Sequence, residues 1–401
     1  MVPNGWEIGN FSSLGIKTID GDRGKNYPKK DEYLEDGYCL FLGADNVSSN
    51  GLMLDKKSFL TREKHEQLGN GVVKYDDLLL IMRGNGTGRV CIYDRVISSY
   101  ENARINSGLI IIRLNPDFLD KNFALQLMRS SFVIKQFESF MFGSAQPQLT
   151  VKILKSLKLP RPALPEQRKI AKTLSIWDKA ISTTEKLIET SKQQKKALMQ
   201  QLLTGKKRLR SSPKYGAEMG KMFQGEWEEV KLGDISEITT GNSNREDSSL
   251  DAQYTFFDRS EDIRTSSRYL FDSEAVIVAG EGQDFVPKHF EGKFDLHQRT
   301  YAIMNFEKSF GKFLYYYIGY YRHYFLAQAV GSTVKSLRLP MFQKMPISLP
   351  VIEEQQKIAS VLTAADKEIT VLETKLAHFK QEKKALMQQL LTGKRRVKVG
   401  G

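Results

Sequence analysis

The sequence has few of the residues and motifs on which catalytic and metal sites depend. Only two cysteines, Cys39 and Cys91, occur among 401 residues, which excludes a disulfide framework and a multi-cysteine metal cluster. No Pro-Pro dipeptide occurs, so the Asn/Asp-Pro-Pro-aromatic motif of amino-methyltransferases is missing. None of the six Gly-Lys pairs precedes Ser or Thr, and the five histidines lack zinc-ligand spacing. We therefore predict a chain with no catalytic site, metal or cofactor of its own.

Long apolar runs are also missing. The most apolar stretch, residues 313–321, is nine residues long, far short of a membrane span. The first residues show no basic-then-apolar signal pattern. The chain is 40% apolar and 27% charged, which is typical of globular proteins. The sequence predicts a cytoplasmic protein of two or more domains that does not associate with a membrane.

Positive charge is unevenly distributed along the chain. Of the net charge of +13, residues 163–210 contribute +8 and residues 351–401 contribute +4. Residues 1–162 carry +4 and residues 211–350 carry −3, so these larger blocks are close to neutral. A basic chain favours a polyanionic partner. Because the blocks themselves are nearly neutral, local loops must supply any nucleic-acid contact.

The chain contains one segment twice. Residues 164–208 align without a gap on residues 352–396, at an offset of 188, and twelve consecutive positions (KKALMQQLLTGK) are identical. Upstream the similarity fades, so the order is variable, repeated, variable, repeated. This order predicts four segments, with bounds 1–162, 163–210, 211–350 and 351–401.

Each repeated segment is predicted to be one long helix. Apolar residues recur in steps of four and three over more than four heptads, which is typical of a coiled coil. A single amphipathic helix would more often pack into a core, but two copies with polar breaks at Lys195 and Lys383 favour pairing of the helices. The predicted interface residues are Ile170, Leu174, Trp177, Ile181, Ile188, Leu198, Leu202, Ile358, Leu362, Ile369, Leu372, Leu376, Phe379, Leu386 and Leu390.

Each variable block is predicted to be a small α+β domain. Short apolar runs indicate strands, and a helix ends each block. The strands are expected at 38–42, 78–82, 275–279 and 300–304, and the helices at about 118–140 and 309–329. The tyrosine-rich face at 315–324 could stack bases, although such a face is more often core.

Polar loops after the strands supply the candidate binding residues. Arginine and amide side chains read base edges, and glycines allow close approach of the backbone. Residues 83–89 (RGNGTGR) directly follow a strand, and the alternative is a simple hairpin turn. Loops 143–148 and 331–335 match in position but differ in residues. The candidate DNA-binding residues are Arg83, Asn85, Thr87, Arg89, Ser144, Gln146, Gln148, Gln283, His297, Gln298, Arg299, Ser332, Thr333 and Lys335.

The order of parts resembles the specificity subunit of Type I restriction–modification enzymes. The similarity rests on GSAQPQLT with LPRPALPEQRKIA, on GSTVKSLRLP with ISLPVIEEQQKIA, and on the two KKALMQQLLTGK helix ends. The resemblance implies two target-recognition domains, each reading one half of a split, asymmetric site in double-stranded DNA. It also implies that the two helices pair as an antiparallel coiled coil with pseudo-twofold symmetry, which sets the spacing.

The resemblance further implies partner subunits. Two modification (methyltransferase) subunits are expected to dock on the helices and to bring S-adenosylmethionine. Restriction subunits are expected to bring ATP and magnesium. Two other interpretations stay open at this point. One is a coiled-coil adaptor that binds protein rather than DNA, and the other is an enzyme with an unrecognised active site.

Overall fold

The computed structural model describes residues 2–141, 148–211, 220–260 and 262–398. The chain divides into two compact units, each containing one variable block and parts of both long helices. Unit 1 consists of Met1–Lys186 with Thr374–Gly401, and unit 2 of Leu187–Glu373. The division into four segments stays a prediction.

The strands of unit 1 form two main sheets. Their bounds are β1 (Glu7–Gly9), β2 (Lys17–Asp20), β3 (Cys39–Leu42), β4 (Val47–Ser48), β5 (Gly51–Leu52), β6 (Phe59–Leu60), β7 (Leu78–Ile81), β8 (Val90–Ile92), β9 (Ala103–Ile105), β10 (Leu109–Arg113) and β11 (Leu159–Arg161). One sheet has the order β2-β10-β7-β8, and the other has the order β6-β3-β9. All of β7 is buried, which explains why it appears in the sequence as an uninterrupted apolar run.

The helices of unit 1 differ from the prediction at one place. They are α1 (Arg62–Gln67), α2 (Lys121–Met128), α3 (Ser131–Met141), α4 (Val151–Ser156) and the first part of the long helix α5 (Leu164–Leu202). The single helix expected over about 118–140 is therefore wrong, because it is divided into α2 and α3. Ser130 accounts for the break: its hydroxyl donates to the Leu127 carbonyl at 2.6 Å and accepts from the Val133 N–H at 3.3 Å. A side chain that bonds the backbone in this way caps a new helix.

Unit 2 is built on one larger sheet. Its strands are β12 (Glu228–Lys231), β13 (Glu237–Thr240), β14 (Tyr254–Phe257), β15 (Arg264–Ser266), β16 (Phe271–Ala279), β17 (Glu281–Gly282), β18 (Lys288–Leu296), β19 (Thr300–Met304), β20 (Lys335–Ser336) and β21 (Pro346–Leu349). Six of these strands pair in the order β13-β19-β16-β18-β14-β15, and β17 pairs with β20. The apolar run expected at 275–279 is the buried end of the longer strand β16.

The helices of unit 2 are α6 (Gly311–Tyr320), α7 (His323–Gln328), α8 (Leu339–Gln343) and the first part of the long helix α9 (Ile352–Leu390). The single helix expected over 309–329 is likewise divided, because Tyr321 leaves the helical conformation with a ψ of 18°. Tyr316 and Tyr317 on α6 are each only 3% exposed and belong to the core of the unit. These two rings are therefore not available to stack bases.

The long helices α5 and α9 each span 39 residues. Within unit 1, α5 and α9 run antiparallel, since Asp178 pairs with Lys383 while Glu185, further along α5, pairs with the earlier Lys380. Within unit 2 the two helices also run antiparallel, since Lys192 pairs with Glu373 while Lys195, further along α5, pairs with the earlier Asp366. The α+β class, with a long helix after each variable block, is confirmed. No helix in the described ranges is both long enough and apolar enough to cross a membrane.

The ends of the long helices are anchored in the cores of the units. Leu390 and Leu391 pack into the main core of unit 1, and their repeat equivalents Leu202 and Leu203 pack into the main core of unit 2. All four are at most 3% exposed. Burying a leucine fully contributes roughly 1.5–3 kcal/mol. The identical KKALMQQLLTGK sequence therefore performs the same packing task in each unit.

Candidate nucleic-acid interface

The glycine-rich loop of unit 1 is the tip of the hairpin between β7 and β8. The Gly88 N–H donates to the Ile81 carbonyl at 2.9 Å, and the Ile81 N–H donates to the Arg89 carbonyl at 2.9 Å. Gly86 has a φ of +88°, and a Cβ there would lie 3.1 Å from Cδ of Arg89. The backbone of residues 83–89 therefore forms the hairpin turn that was the alternative interpretation of this loop. It leaves Asn85 and Arg89 exposed at the tip.

Two other candidates in this loop have internal partners. The Arg83 guanidinium is half-buried and donates to the Ser107 carbonyl at 2.8 Å. The Thr87 hydroxyl donates to the Gly84 carbonyl at 2.7 Å, which closes the turn. Both side chains therefore shape the loop, whereas Asn85 and Arg89 are the ones presented to solvent.

The described end of the second candidate loop of unit 1, Gln148, lies at the base of this hairpin. The Leu149 N–H donates to the Met82 carbonyl at 2.9 Å, and the neighbouring Gln148 forms an isolated bridge with Arg83. Gln148 is exposed beside the glycine-rich loop. Ser144 and Gln146 lie outside the described residues.

Unit 2 has the equivalent junction. The Leu337 N–H donates to the Gly280 carbonyl at 2.7 Å. Leu337 is the repeat equivalent of Leu149, at the offset of 188, and Gly280 directly follows β16 as Met82 directly follows β7. The Gln283 amide donates to the Thr333 carbonyl at 3.3 Å, which joins the two candidate loops.

The side chains at this junction are largely accessible. Gln283, Ser332 and Thr333 are exposed, while Lys335 on β20 is half-buried. Each unit thus has the same backbone junction directly after a strand of its sheet, and the described side chains beside the junction differ between the units. This arrangement presents a separate set of hydrogen-bonding groups in each unit.

The turn between β18 and β19 adds a third element in unit 2. Gln298 and Arg299 are exposed, and His297 is half-buried. Burial lowers the pKa of His297, and the nearby Asp258 carboxylate only partly offsets this, so the imidazole is neutral near pH 7. Its Nδ1 accepts from the Arg299 N–H at 3.1 Å, which leaves the proton on Nε2. His297 can therefore donate to an acceptor.

The sequence did not reveal two arginines that lie beside this turn. Arg245 donates to Asp258 at 3.1 Å, and Arg259 lies 3.5 Å from Glu281, the carboxylate that also holds Arg299 at 2.7 Å. Arg245 and Arg259 sit in irregular polar stretches with no periodicity to mark them. The fold brings these residues together, and only three-dimensional contacts identify them.

The residues predicted to form the helix interface lie along the apolar heptad seams of α5 and α9. Every one of its positions is buried or half-buried. The buried positions are Ile170, Leu174, Ile188, Leu202, Ile358, Leu362, Ile369 and Leu390, and the half-buried ones are Trp177, Ile181, Leu198, Leu372, Leu376, Phe379 and Leu386. In unit 1 the rings of Trp177 and Phe379 pack edge to face at 5.8 Å. This contact joins unlike residues of the two copies.

The two cysteine thiols are not suited to nucleophilic chemistry. Burial raises the pKa of the Cys39 thiol to about 11 and that of Cys91 to about 12. A buried, protonated thiol is a poor nucleophile. In the part of the chain that the structure describes, no group of three or more His, Cys, Asp or Glu residues could hold a metal ion.

Comparison with known proteins assigns the family. A family model for the Type I restriction modification DNA specificity domain matches residues 3–192 and 224–381. The chain is 26% identical to the type I restriction enzyme MjaVIII specificity subunit of Methanocaldococcus jannaschii, over 99% of this chain and 94% of the relative. It is also 26% identical to the putative MjaX specificity subunit of the same organism, over 99% of this chain and 95% of the relative.

Solved structures share the fold. The S subunit of a Type-I restriction-modification system from M. genitalium superposes with a TM-score of 0.63 at 16% identity, over 97% of this chain and 96% of that chain. A structure described as addressing complex assembly and conformational transition of the type I R-M system gives a TM-score of 0.59 at 18% identity, over 98% and 100% of the two chains. Since the family model spans both variable blocks and most of the repeated helices, the chain belongs to the Type I restriction modification DNA specificity family.

Proposed function

We propose that each unit reads one half of a bipartite, asymmetric target in double-stranded DNA. The observation that carries this proposal is the junction that recurs in the two units. Leu149 donates to Met82 in one unit, and its equivalent Leu337 donates to Gly280 in the other. The backbone frame is the same while the exposed side chains differ. Two readers with one frame and different side chains suit two different half-sites.

The exposed groups have the chemistry of base recognition. Unit 1 presents Asn85, Arg89 and Gln148, and unit 2 presents Gln283 and Gln298. Arginine forms paired hydrogen bonds with guanine, and asparagine or glutamine does so with adenine. Asn85, Gln283 and Gln298 follow strand ends, while Arg89 and Gln148 are held by backbone contacts with Ile81 and Arg83, so the fold sets their positions. Ser144 and Gln146 stay proposed members of the first set.

We further propose that α5 and α9 set the gap between the half-sites and bind the modification subunits. An equivalent ion pair occurs in each unit. Asp178 pairs with Lys383 in unit 1, and their repeat equivalents at the offset of 188, Asp366 and Lys195, pair in unit 2. A symmetric partner surface of this kind fits two copies of one partner, which is the argument for two modification subunits and pseudo-twofold symmetry. S-adenosylmethionine, ATP and magnesium belong on the partner subunits in this scheme.

The chain contributes recognition and no chemistry. Incubation of the purified chain with S-adenosylmethionine, ATP, magnesium and DNA is expected to give neither methylated nor cleaved product. Addition of the modification subunits should produce methylation. Methyl transfer by the chain alone would contradict this part of the proposal.

A binding titration across salt concentrations tests the proposal directly. The affinity of the full-length chain for duplex DNA should fall linearly with salt on logarithmic axes, because bound phosphates release counterions. A coiled-coil adaptor would bind the modification subunits and show no affinity for DNA at any salt concentration. That result would replace DNA recognition with the adaptor function.

A further inference from the structure

Unit 2 contains three arginines that pair with two largely buried carboxylates. We call these five residues the arginine cluster: Arg245, Asp258, Arg259, Glu281 and Arg299. These residues line a single cleft of about 220 Å³ together with His297 and Gln298. The Glu281 carboxylate lies between two guanidinium groups, with Oε1 2.7 Å from Nη1 of Arg299 and Oε2 3.5 Å from Nη1 of Arg259. Asp258 holds Nη1 of Arg245 at 3.1 Å.

The arginine side chains of the cluster are exposed, whereas the carboxylates that hold them are largely buried. The side chains of Arg259 and Arg299 are each 60% exposed, whereas that of Glu281 is 16% exposed. Arg245 is 56% exposed, whereas Asp258 is 3% exposed. An exposed ion pair contributes little to stability. A carboxylate beneath a guanidinium instead fixes the direction in which the outer edge of the guanidinium points. Because the arginine is already held, less side-chain entropy is lost when a ligand binds.

The free edge of each guanidinium is the one suited to base reading. All three arginines bond their carboxylate through Nη1, and among the described residues Nε and Nη2 of these arginines have no hydrogen-bond acceptor. Nε and Nη2 are two parallel donors. Guanine presents O6 and N7 as two adjacent acceptors in the major groove, which is the commonest specific partner of arginine.

We propose that the arginine cluster reads guanine in the DNA half-site of unit 2, with Arg299 as the base-contacting residue and Glu281 as the residue that positions it. This inference rests on the proposed function and narrows it. Arg259 shares the same carboxylate, and Arg245, held by Asp258, provides a third anchored guanidinium in the cleft. The net charge of block 211–350 is −3, so recognition here depends on placed groups rather than on bulk charge.

Selection from randomised duplexes with the full-length chain provides the test. Wild-type protein should select a split site whose second half contains at least one invariant guanine. Arg299→Lys keeps the charge but loses the fork, and should lower discrimination at that guanine by roughly 5- to 150-fold, the range expected for a paired contact. Glu281→Gln should relax the same position, because Arg299 loses its anchor.

Matched variants separate this role from other roles. Arg210→Lys changes an arginine outside the cluster that donates to the Gly220 carbonyl, and should leave base preference unchanged. A uniform loss of affinity across all sequences in Arg299→Lys would identify a phosphate contact and overturn the proposal. A lower unfolding temperature in Glu281→Gln with unchanged base preference would show a purely structural network and would also overturn it. If the wild-type chain selects no sequence at all, the proposed function itself fails.

Discussion

The Lys195 ammonium lies 2.5 Å from the Asp366 carboxylate, inside the helix pair of unit 2. The other carboxylate oxygen of Asp366 accepts a hydrogen bond from the Tyr316 hydroxyl at 2.8 Å, so the pair also joins the helices to α6. The equivalent pair in unit 1 is Asp178 with Lys383 at 2.6 Å, and there the Gln126 amide donates to Asp178 at 2.5 Å. The polar breaks in the two heptad seams thus meet partners of opposite charge.

Removal of Lys195 is expected to destabilise unit 2. The Lys195 side chain is 22% exposed, so Lys195→Met should lower the free energy of unfolding by about 1–2 kcal/mol, between the values for exposed and buried pairs. A double-mutant cycle with Asp366→Asn should give a coupling energy of about 1 kcal/mol in denaturant titrations. Lys192→Met is the control, because Lys192 and its partner Glu373 are both about half exposed. An equal effect of the two lysine variants would argue against a special role for Lys195.

The buried carboxylate of Glu354 gives a larger predicted effect. Its side chain is fully buried and receives two bonds from the Arg208 guanidinium, at 2.7 and 2.6 Å. Arg208→Leu leaves that carboxylate without its cation and should cost about 3 kcal/mol in chemical denaturation. The double variant with Glu354→Gln should recover part of the loss. Arg161→Leu breaks a pair with the exposed Glu7 and should cost less than about 1 kcal/mol.

The Asp258 carboxylate is expected to contribute to the loss of folding stability at low pH. Its burial acts to raise the carboxyl pKa, but hydrogen bonds from Ser260 and the charge of Arg245 hold the pKa below its ordinary value of 3.8. A carboxyl with a depressed pKa stabilises the folded state above its ordinary pKa, and that stability is lost as pH falls through the folded value. Asp258→Asn should therefore flatten the loss of stability as the pH falls through and below the ordinary carboxyl pKa of 3.8. A profile parallel to that of the wild type would contradict this assignment.

Lengthening the helices tests their role as a spacer. One heptad inserted after Thr184 and one after its equivalent Leu372 keep the seam in phase and add roughly 10 Å to each helix. This corresponds to about three base-pair steps. Mapping of methylated bases should show a longer gap between unchanged half-sites. An insertion of four residues at each place disrupts the phase of the seam and serves as the control. An unchanged gap with full activity would restrict the helices to docking.

Periodic features of the fold could be predicted from the sequence. The repeat predicts both long helices and their seam, since an apolar stripe must be covered whatever its partner. Apolar runs such as the one at 78–82 mark buried strands. The division of the helices at Ser130 and Tyr321 was missed, because one hydroxyl or one backbone angle interrupts an otherwise helical pattern.

The site was less predictable than the fold. Loop 83–89 and the turn at 297–299 follow strand ends and can be located from the sequence. Arg259 and Glu281 are 22 residues apart, and only the packing of the sheet of unit 2 brings them together. No local pattern encodes a contact of this kind. The partners of polar residues in irregular stretches therefore had to come from the structure.

Exchange of residues 1–160 for the corresponding block of a relative tests the central claim most directly. The exchanged chain is expressed with the modification subunits, and methylated bases are mapped across a genome. Independent reading by the two units predicts a new first half-site, an unchanged second half-site and an unchanged gap. A simultaneous change in both half-sites would contradict the account.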